Sequence, residues 1–249
     1  MKNNFFYKKP FSNIYKSASG SSEVISQILY GEKFKVLTKN KYWFKIKTSY
    51  DNYIGYIKNK DFTNSHKPTH KVFTLKAGIF NKKNNKTKYF LPFASRISII
   101  QENKDFIEFE KNKWIKKNNI KKIDHMEKDY LKVLKLFLQT KYVWGGKTYK
   151  GIDCSAILQL FFFYNNKFYP RDTKDQIKYK KNNIRRKIFK KGDIIFWDGH
   201  VGICIDNKKL IHAFGPRKKV VIMNIKKTIL KIKNDSKLCV AGMININDY

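Results

Sequence analysis

The hydrophobic residues in the first half of the chain alternate with polar ones at the two-residue spacing of β-strands. Strands rich in β-branched and aromatic residues are predicted at residues 24–29, 34–37, 42–46 and 53–57, with turn-forming Gly, Asn and Asp between them. Because these strands are short and closely spaced, the pattern from about Ser12 to Asn64 indicates a small β-barrel. The pattern repeats less regularly from about Thr69 to Ile123 and predicts a second barrel, with residues 65–68 as linker.

From Glu127 onward the hydrophobic spacing becomes helical. One helix is predicted through Leu131, Leu134 and Phe137, and a second, strongly apolar one follows Asp153-Cys154-Ser155. Strands are then predicted at residues 193–197, 201–205, 210–214, 220–225 and 238–244. Helices followed by a run of strands indicate an α+β domain, so the predicted domains are residues 1–65, 66–124 and 125–249.

The chain has a formal net charge of +35 and a pI near 10.0, values that often accompany nucleic-acid binding. Lysine supplies nearly all of this charge, whereas nucleic-acid sites favour the bidentate contacts of arginine. We therefore expect the lysines to be spread over solvated surfaces and expect no specific nucleic-acid partner.

The first residues of the chain, the lengths of its apolar runs and its cysteines bear on where the protein is located and whether it contains disulfides. The first ten residues contain no apolar run of signal-peptide length, and no stretch reaches the roughly 18 apolar residues of a membrane span. We expect a cytoplasmic protein without membrane association. Three cysteines are too few for a disulfide framework, and Cys204 and Cys239, in strand-like runs, are expected in the core.

Cys154 is the first candidate for chemistry. It follows Asp153, a residue that commonly caps helices, so its thiol is predicted at the positive end of a helix dipole, which favours the thiolate. The alternative is a buried structural cysteine.

A histidine pair is the second candidate. His200 and His212 flank a predicted hairpin turn near Asn207, so adjacent antiparallel strands bring both rings to one face. Cys154 as nucleophile, His200 as base and His212 as orienting group would form a catalytic set. Core histidines and a zinc site are the alternatives, but the close-spaced ligand pairs of zinc sites and a fourth ligand are missing. We expect no metal or other cofactor.

Several motifs, in this order, carry a resemblance to a known family. They are Tyr142-Val143-Trp144-Gly145-Gly146, Gly151-Ile152-Asp153-Cys154-Ser155, Pro170-Arg171-Asp172-Thr173, Lys191-Gly192-Asp193-Ile194-Ile195-Phe196-Trp197, Gly199-His200-Val201-Gly202-Ile203 and Leu210-Ile211-His212-Ala213. Residues 124–249 thereby resemble the NlpC-type papain-like cysteine peptidases that cut peptidoglycan peptides. The preceding barrels resemble the bacterial SH3-like domains of γ-D-glutamyl-L-diamino acid dipeptidyl peptidases. One departure is Ala156, where the family usually has glycine.

The resemblance implies a role for each matching residue. Catalysis would use Cys154 as nucleophile, His200 as base, His212 as third polar member and Tyr142 beside the oxyanion. Residues implied to hold the substrate backbone and its free amine are Asp153, Ser155, Asp172, Thr173, Tyr53 and Glu32. For Tyr53 the alternative is barrel packing. For Glu32 the alternative, a simple turn carboxylate, is favoured.

The implied function is hydrolysis of the γ-D-glutamyl–diamino acid bond in murein-derived peptides with a free N-terminal L-alanine, through a thioester on Cys154. Such peptides are fragments of the wall, which implies a role in cell-wall recycling. Two other functions stay open at this stage. One is a non-catalytic protein that binds wall peptide or nucleic acid through its barrels. The other is a thioester-forming amidase or acyltransferase with a different substrate. The identity of the diamino acid and the oligomeric state are also open.

Overall fold

A computed structural model describes residues 4–81, 85–180 and 188–249. The first seven strands form one antiparallel, curled sheet in the order β3-β2-β6-β5-β4-β1-β7. They are β1 (Asn4–Tyr7), β2 (Phe11–Tyr15), β3 (Val24–Leu29), β4 (Lys33–Lys39), β5 (Trp43–Thr48), β6 (Ile54–Lys58) and β7 (Phe62–Thr63). Alternate residues of β5 are buried, which is the two-residue period that predicted this region. β1 lies before the predicted start of the barrel, because its adjacent aromatics Phe5 and Phe6 show no alternation.

The next region contains two smaller antiparallel sheets around a core of their own, formed by residues such as Ile79, Leu91 and Ile115. Their strands are β8 (His70–Val72), β9 (Lys76–Phe80), β10 (Lys86–Pro92), β11 (Arg96–Ile97), β12 (Gln101–Glu102), β13 (Phe106–Glu110), β14 (Lys113–Lys116) and β15 (Ile120–Lys122). The sheet orders are β10-β9-β14-β13-β12 and β11-β8-β15. That these sheets make a second SH3-like barrel stays a prediction.

The remainder is an α+β unit, as predicted. Its elements are α1 (Tyr130–Leu136), β16 (Lys147–Thr148), β17 (Gly151–Ile152), α2 (Cys154–Tyr164), α3 (Thr173–Gln176), β18 (Asp193–Trp197), β19 (His200–Cys204), β20 (Lys209–Phe214), β21 (Lys219–Asn224), α4 (Ile225–Ser236) and β22 (Gly242–Asn245). The five long strands form an antiparallel sheet in the order β21-β20-β19-β18-β22. Every residue of α2 is buried. No helix within the described residues is long and apolar enough to cross a membrane.

The sheet is covered on both faces. Ile194 and Phe196 of β18 share a core with α2, whereas Ile195 and Trp197 of the same strand share another with α4. This two-sided burial explains why these strands read as continuous apolar runs. It also fixes α2, and with it Cys154, against the strands that carry the two histidines.

In the last 30 residues one helix was not anticipated and one expectation was wrong. The sequence pattern gave no helix between β21 and the final strand, yet α4 begins after Asn224, whose side chain accepts a hydrogen bond from Lys227 N–H. Cys239 was expected in the core, but it is exposed, because the final strand begins only at Gly242. Cys204 is fully buried, as expected.

The first sheet is joined to the α+β unit by buried polar contacts. The Lys147 ammonium lies 2.7 Å from the Glu32 carboxylate, and both side chains are less than 5% exposed. Lys147 N–H also donates to Gln27 Oε1 at 2.8 Å, and Gln159 donates to Asp51 at 2.8 Å. Because buried charges need partners, these contacts fix the sheet in one position against the loop before α2.

We predict that Glu32→Gln destabilises the protein by about 3–5 kcal/mol, because it leaves the buried Lys147 ammonium without a countercharge. Denaturant unfolding followed by tryptophan fluorescence measures the effect. The control is Asp235→Asn, which breaks the exposed Lys231–Asp235 pair and should leave the unfolding midpoint unchanged. Equal midpoints for the two variants would contradict the role assigned to the buried pair.

Candidate active site

The start of α2 is built around the side chain of Asp153. This residue is the N-cap, in extended conformation, and its Oδ1 accepts a hydrogen bond from Ala156 N–H at 2.8 Å. Cys154 therefore occupies the first helical position, as predicted. Its own N–H is one of those that a helix start leaves without an intrahelical partner.

The loop before α2 approaches the first sheet closely at a glycine. Gly145 has a φ of +71°, and a Cβ there would lie 2.4 Å from the carbonyl oxygen of Val24 in β3. Both the left-handed backbone and the contact require glycine. Gly145 N–H donates to Asp153 Oδ2 at 3.0 Å, so the loop, the sheet and the helix cap meet at one point.

A buried ion pair fully occupies the Asp153 carboxylate. Arg171 contacts it bidentately, with NH1 3.0 Å from Oδ1 and NH2 2.6 Å from Oδ2. Ser155 Oγ donates to Oδ1 at 3.1 Å, and Arg171 Nε donates to Ser26 Oγ at 2.9 Å. Interaction with Asp153 raises the pKa of Arg171 even against the opposing effect of burial. Asp153 therefore has no free charge for a substrate amine, and it positions the helix start instead.

The two histidines are hydrogen-bonded to each other. His200 Nε2 lies 2.9 Å from His212 Nδ1, and His212 Nε2 lies 3.4 Å from the sulfur of Met223. Ile203 pairs with Ile211 between β19 and β20, so the histidines are diagonal neighbours on one face. The predicted juxtaposition is present. Since Nε2 of His200 is engaged, Nδ1 is the ring nitrogen left for a proton transfer.

The Cys154 thiol lies against the turn that leads into His200. Its Sγ is 3.8 Å from the carbonyl oxygen of Gly199, and the N–H of Val201 donates to the sulfur. Burial, followed by the charge of Asp153, raises the pKa of the thiol to about 12. Burial lowers the pKa of His200 to about 4. The resting pair is therefore a thiol and a neutral imidazole, and the expected thiolate is not favoured, because burial outweighs the helix dipole.

Tyr142 lies beside this pair. Burial is the main cause that raises the pKa of its phenol, and the charges of Cys154 and Asp153 follow. The hydroxyl therefore stays protonated and can donate a hydrogen bond. Its backbone bridges Ile152 just before the cap, which holds the ring near the helix start.

A cavity of about 320 Å³ opens at Cys154 and extends to the first sheet. Among its lining residues, Tyr53 OH donates to the Asp172 carboxylate at 3.2 and 3.3 Å, and burial raises the pKa of Asp172. Glu23 and Trp144 form part of the rim, where Trp144 Nε1 donates to Glu23 at 2.9 Å. A residue from the first sheet thus forms part of the same cavity as the cysteine.

Most of the predicted site residues meet in this region. Six of them line the cavity, namely Cys154, Asp153, Ser155, Asp172, Thr173 and Tyr53. The half-buried His200 and the buried His212 form a pair beside the turn at Gly199, and Tyr142 is near Cys154. Glu32 does not join them, because its carboxylate is held by Lys147 and by Leu29 N–H at 2.6 Å.

The residues of the site that were missed from the sequence include Arg171, Glu23 and Asp198. Arg171 belongs to a quoted motif, but nothing local showed that it would neutralise Asp153. Glu23 only precedes a predicted strand, and no motif includes it. Within the part of the chain that the structure describes, no group of three or more His, Cys, Asp and Glu side chains could hold a metal ion.

A helix-start cysteine packed against a sheet that carries a hydrogen-bonded histidine pair defines the papain-like class of cysteine peptidases. Family models agree and assign residues 139–236 to the NlpC/P60 family and residues 14–62 to the bacterial dipeptidyl-peptidase SH3 domain. Residues 139–236 therefore form an NlpC/P60 domain, which follows a bacterial dipeptidyl-peptidase SH3 domain.

Similarity to two curated proteins spans most of the chain. The chain is 23% identical to a γ-D-glutamyl-L-lysine dipeptidyl-peptidase of Bacillus subtilis, over 82% of this chain and 77% of that protein. It is also 23% identical to dipeptidyl-peptidase 6 of Lysinibacillus sphaericus, over 81% and 84% of the two chains. A crystal structure of an NlpC/P60 family protein from Bacillus cereus shares the fold, with a TM-score of 0.80, 16% identity and coverage of 96% and 98%.

We predict that Cys154 shows no reactive thiolate plateau in the free protein between about pH 5 and 8, because its pKa is raised and that of His200 is lowered. The rate of alkylation by iodoacetamide should instead keep rising with pH. Peptide hydrolysis that uses His200 as the base should persist well below pH 6.5, since burial lowers the pKa of His200 to about 4 and keeps the imidazole unprotonated above that pH.

The exposed Cys239 would also react, so the measurement uses a Cys239→Ser background, with Cys154→Ser added as the blank. A plateau of alkylation between about pH 5 and 8 would show a preformed thiolate–imidazolium pair instead.

Proposed function

We propose that this protein is a cysteine peptidase that hydrolyses the γ-D-glutamyl–diamino acid bond of peptidoglycan-derived peptides with a free N-terminal L-alanine. The observation that carries the proposal is the composition of the cavity. The Cys154 thiol lines it together with the Asp172 carboxylate, which accepts hydrogen bonds from Tyr53, the residue just before β6. A short peptide with a free amine fits between a nucleophile and a carboxylate placed in this way.

The amine end is formed by Asp172 and Tyr53. Asp172 keeps a carboxylate facing the cavity, and its hydrogen bonds come from the uncharged phenol of Tyr53 rather than from a cation. Arg171 and Lys174 already act to lower the pKa of Asp172 against the larger effect of burial, and an ammonium group of the substrate in contact with the carboxylate would add to their effect and favour its ionised form. Glu23 on the rim adds a second carboxylate, although Lys16 lies 3.2 Å from it. Asp172, rather than Asp153, is therefore the carboxylate that we assign to the free amine of the substrate.

The chemical step begins with the neutral thiol. His200 takes the Cys154 proton as the sulfur attacks the γ-glutamyl carbonyl carbon, and a C–S bond forms. The resulting oxyanion accepts hydrogen bonds from the Cys154 N–H and the Tyr142 hydroxyl. When the C–N bond breaks, His200 gives the proton to the leaving amine of the diamino acid, and a thioester remains.

Water completes the reaction. His200 accepts a proton from the water as its oxygen attacks the thioester, and the C–S bond then breaks. The proton returns to the Cys154 sulfur, so that acid and thiol are both restored. His212 keeps the imidazole of His200 oriented through the 2.9 Å hydrogen bond during both steps.

Two relatives are named as dipeptidyl peptidases, one of them for γ-D-glutamyl-L-lysine, and this supports the substrate class. Small peptides with free amines are products of earlier cleavage of the wall, so the proposal includes a role in recycling them within the cytoplasm. Cell fractionation tests that location.

We expect the purified protein to release L-Ala-γ-D-Glu from L-Ala-γ-D-Glu-L-Lys or from its meso-diaminopimelate counterpart. Cys154→Ala should lower kcat/KM at least about a thousandfold, because the nucleophile is lost. Mass spectrometry follows the released dipeptide. Binding of the intact peptide to Cys154→Ala serves as the control for folding.

The same assay separates the rival functions. A protein that binds the peptide but releases nothing would be a binding module. Formation of a conjugate with an added amine, in place of the free acid, would indicate an acyltransferase.

We expect N-acetylation of the substrate to lower kcat/KM at least about tenfold, because the ammonium that pairs with Asp172 is removed. In Asp172→Asn the ratio of kcat/KM between the free and the N-acetylated peptide should fall towards one. The matched control is Asp175→Asn, which removes a neighbouring carboxylate that does not line the cavity. Equal cleavage of blocked and free peptides by the unmodified protein would refute the amine site.

A further inference from the structure

A second carboxylate faces the cavity at the turn between β18 and β19. Trp197 pairs with His200 across this hairpin, so Asp198 and Gly199 alone form the turn. Asp198 is exposed and lines the cavity together with Cys154 and Gly199. Its side chain makes no hydrogen bond or ion pair with any residue that the structure describes.

The backbone of the turn does not require aspartate at this position. Gly199 has a φ of +68° and takes the left-handed conformation, whereas Asp198 does not. The backbone conformation therefore explains why residue 199 is glycine, but it does not explain why residue 198 is an aspartate.

Every other carboxylate on this cavity already has a partner. Asp153 is paired with Arg171, Glu23 with Lys16, and Asp172 with the phenol of Tyr53. The chain carries 54 Lys and Arg side chains against 19 Asp and Glu, so lysines are abundant on its surface. Lys16 and Lys174 also line the cavity, but neither forms an ion pair with Asp198, so this carboxylate is open to a cation from the substrate.

The position of Asp198 identifies the part of the substrate that it faces. His200 gives its proton to the leaving amine, so the cavity wall next to His200 is on the leaving-group side. Asp198 is two residues before His200, beside the Gly199 carbonyl that contacts the Cys154 thiol at 3.8 Å. The free N-terminal amine, on the acyl side of the scissile bond, is the group that the proposed function assigns to Tyr53 and Asp172.

We propose that Asp198 is a specificity-determining residue that binds the side-chain ammonium of the diamino acid on the leaving-group side. This inference rests on the proposed peptidase function and adds the reason why a diamino acid is preferred at that position. The ammonium ends a flexible stem of several carbons, long enough to extend from the scissile amide to the turn.

Two tripeptides test the proposal: L-Ala-γ-D-Glu-L-Lys and L-Ala-γ-D-Glu-L-norleucine, in which a methyl group replaces the terminal aminomethyl group. The unmodified protein should prefer lysine about fivefold in kcat/KM, the expected effect of a solvent-exposed ion pair. Asp198→Asn should remove this preference through a higher KM for the lysine peptide, with the norleucine peptide unaffected. Asp198→Glu should keep part of it, and added salt should weaken it.

Asp206→Asn is the matched control, because it alters the aspartate of the next hairpin, which does not line the cavity. Its lysine preference should equal that of the unmodified protein. An equal loss on both peptides in Asp198→Asn would mean that Asp198 serves only the turn, and would overturn the proposal.

Equal cleavage of both peptides by the unmodified protein would overturn the inference while the peptidase function stands. Cleavage of neither peptide would refute the proposed function and, with it, this inference.

Discussion

The buried ion pair between Asp153 and Arg171 is the interaction on which the site depends. One carboxylate caps the helix that carries the cysteine, accepts a hydrogen bond from the preceding loop and binds the guanidinium. The same guanidinium donates to Ser26 in the first sheet. A buried pair of this kind costs desolvation of both charges, so its value lies in fixing geometry more than in adding stability. Cysteine, loop and sheet are placed together by these two side chains.

Burial controls the chemistry as well. It raises the pKa of the thiol and lowers those of both histidines, so the resting catalytic set carries no charge. Charge appears only when the proton moves to His200 during attack. An uncharged site costs less to bury than a preformed ion pair, which explains how Cys154 can be only 3% exposed and still face the cavity.

The sequence predicted what depends on local pattern and order. Strand periodicity located most strands of the first sheet, and the cap and hairpin signals placed Cys154, His200 and His212 correctly. The pattern did not identify α4, because its buried residues Ile225, Thr228 and Ile232 stand among many lysines. It also could not assign Asp153, since its partner Arg171 becomes a neighbour only after folding. Glu32 was a weaker substrate candidate for which a turn carboxylate was favoured, and its actual partner could not be predicted because Lys147 lies 115 positions away.

Gly145 has a consequence for how this architecture can change. The loop backbone at Gly145 packs against the Val24 carbonyl with no room for a side chain. The peptidase loop and strand β3 therefore have closely complementary surfaces at this point. The two parts are therefore not freely exchangeable modules. A foreign barrel grafted in front of this peptidase domain would need the same backbone path at β3. Inheritance of the pair as one block is the simplest way to keep that fit.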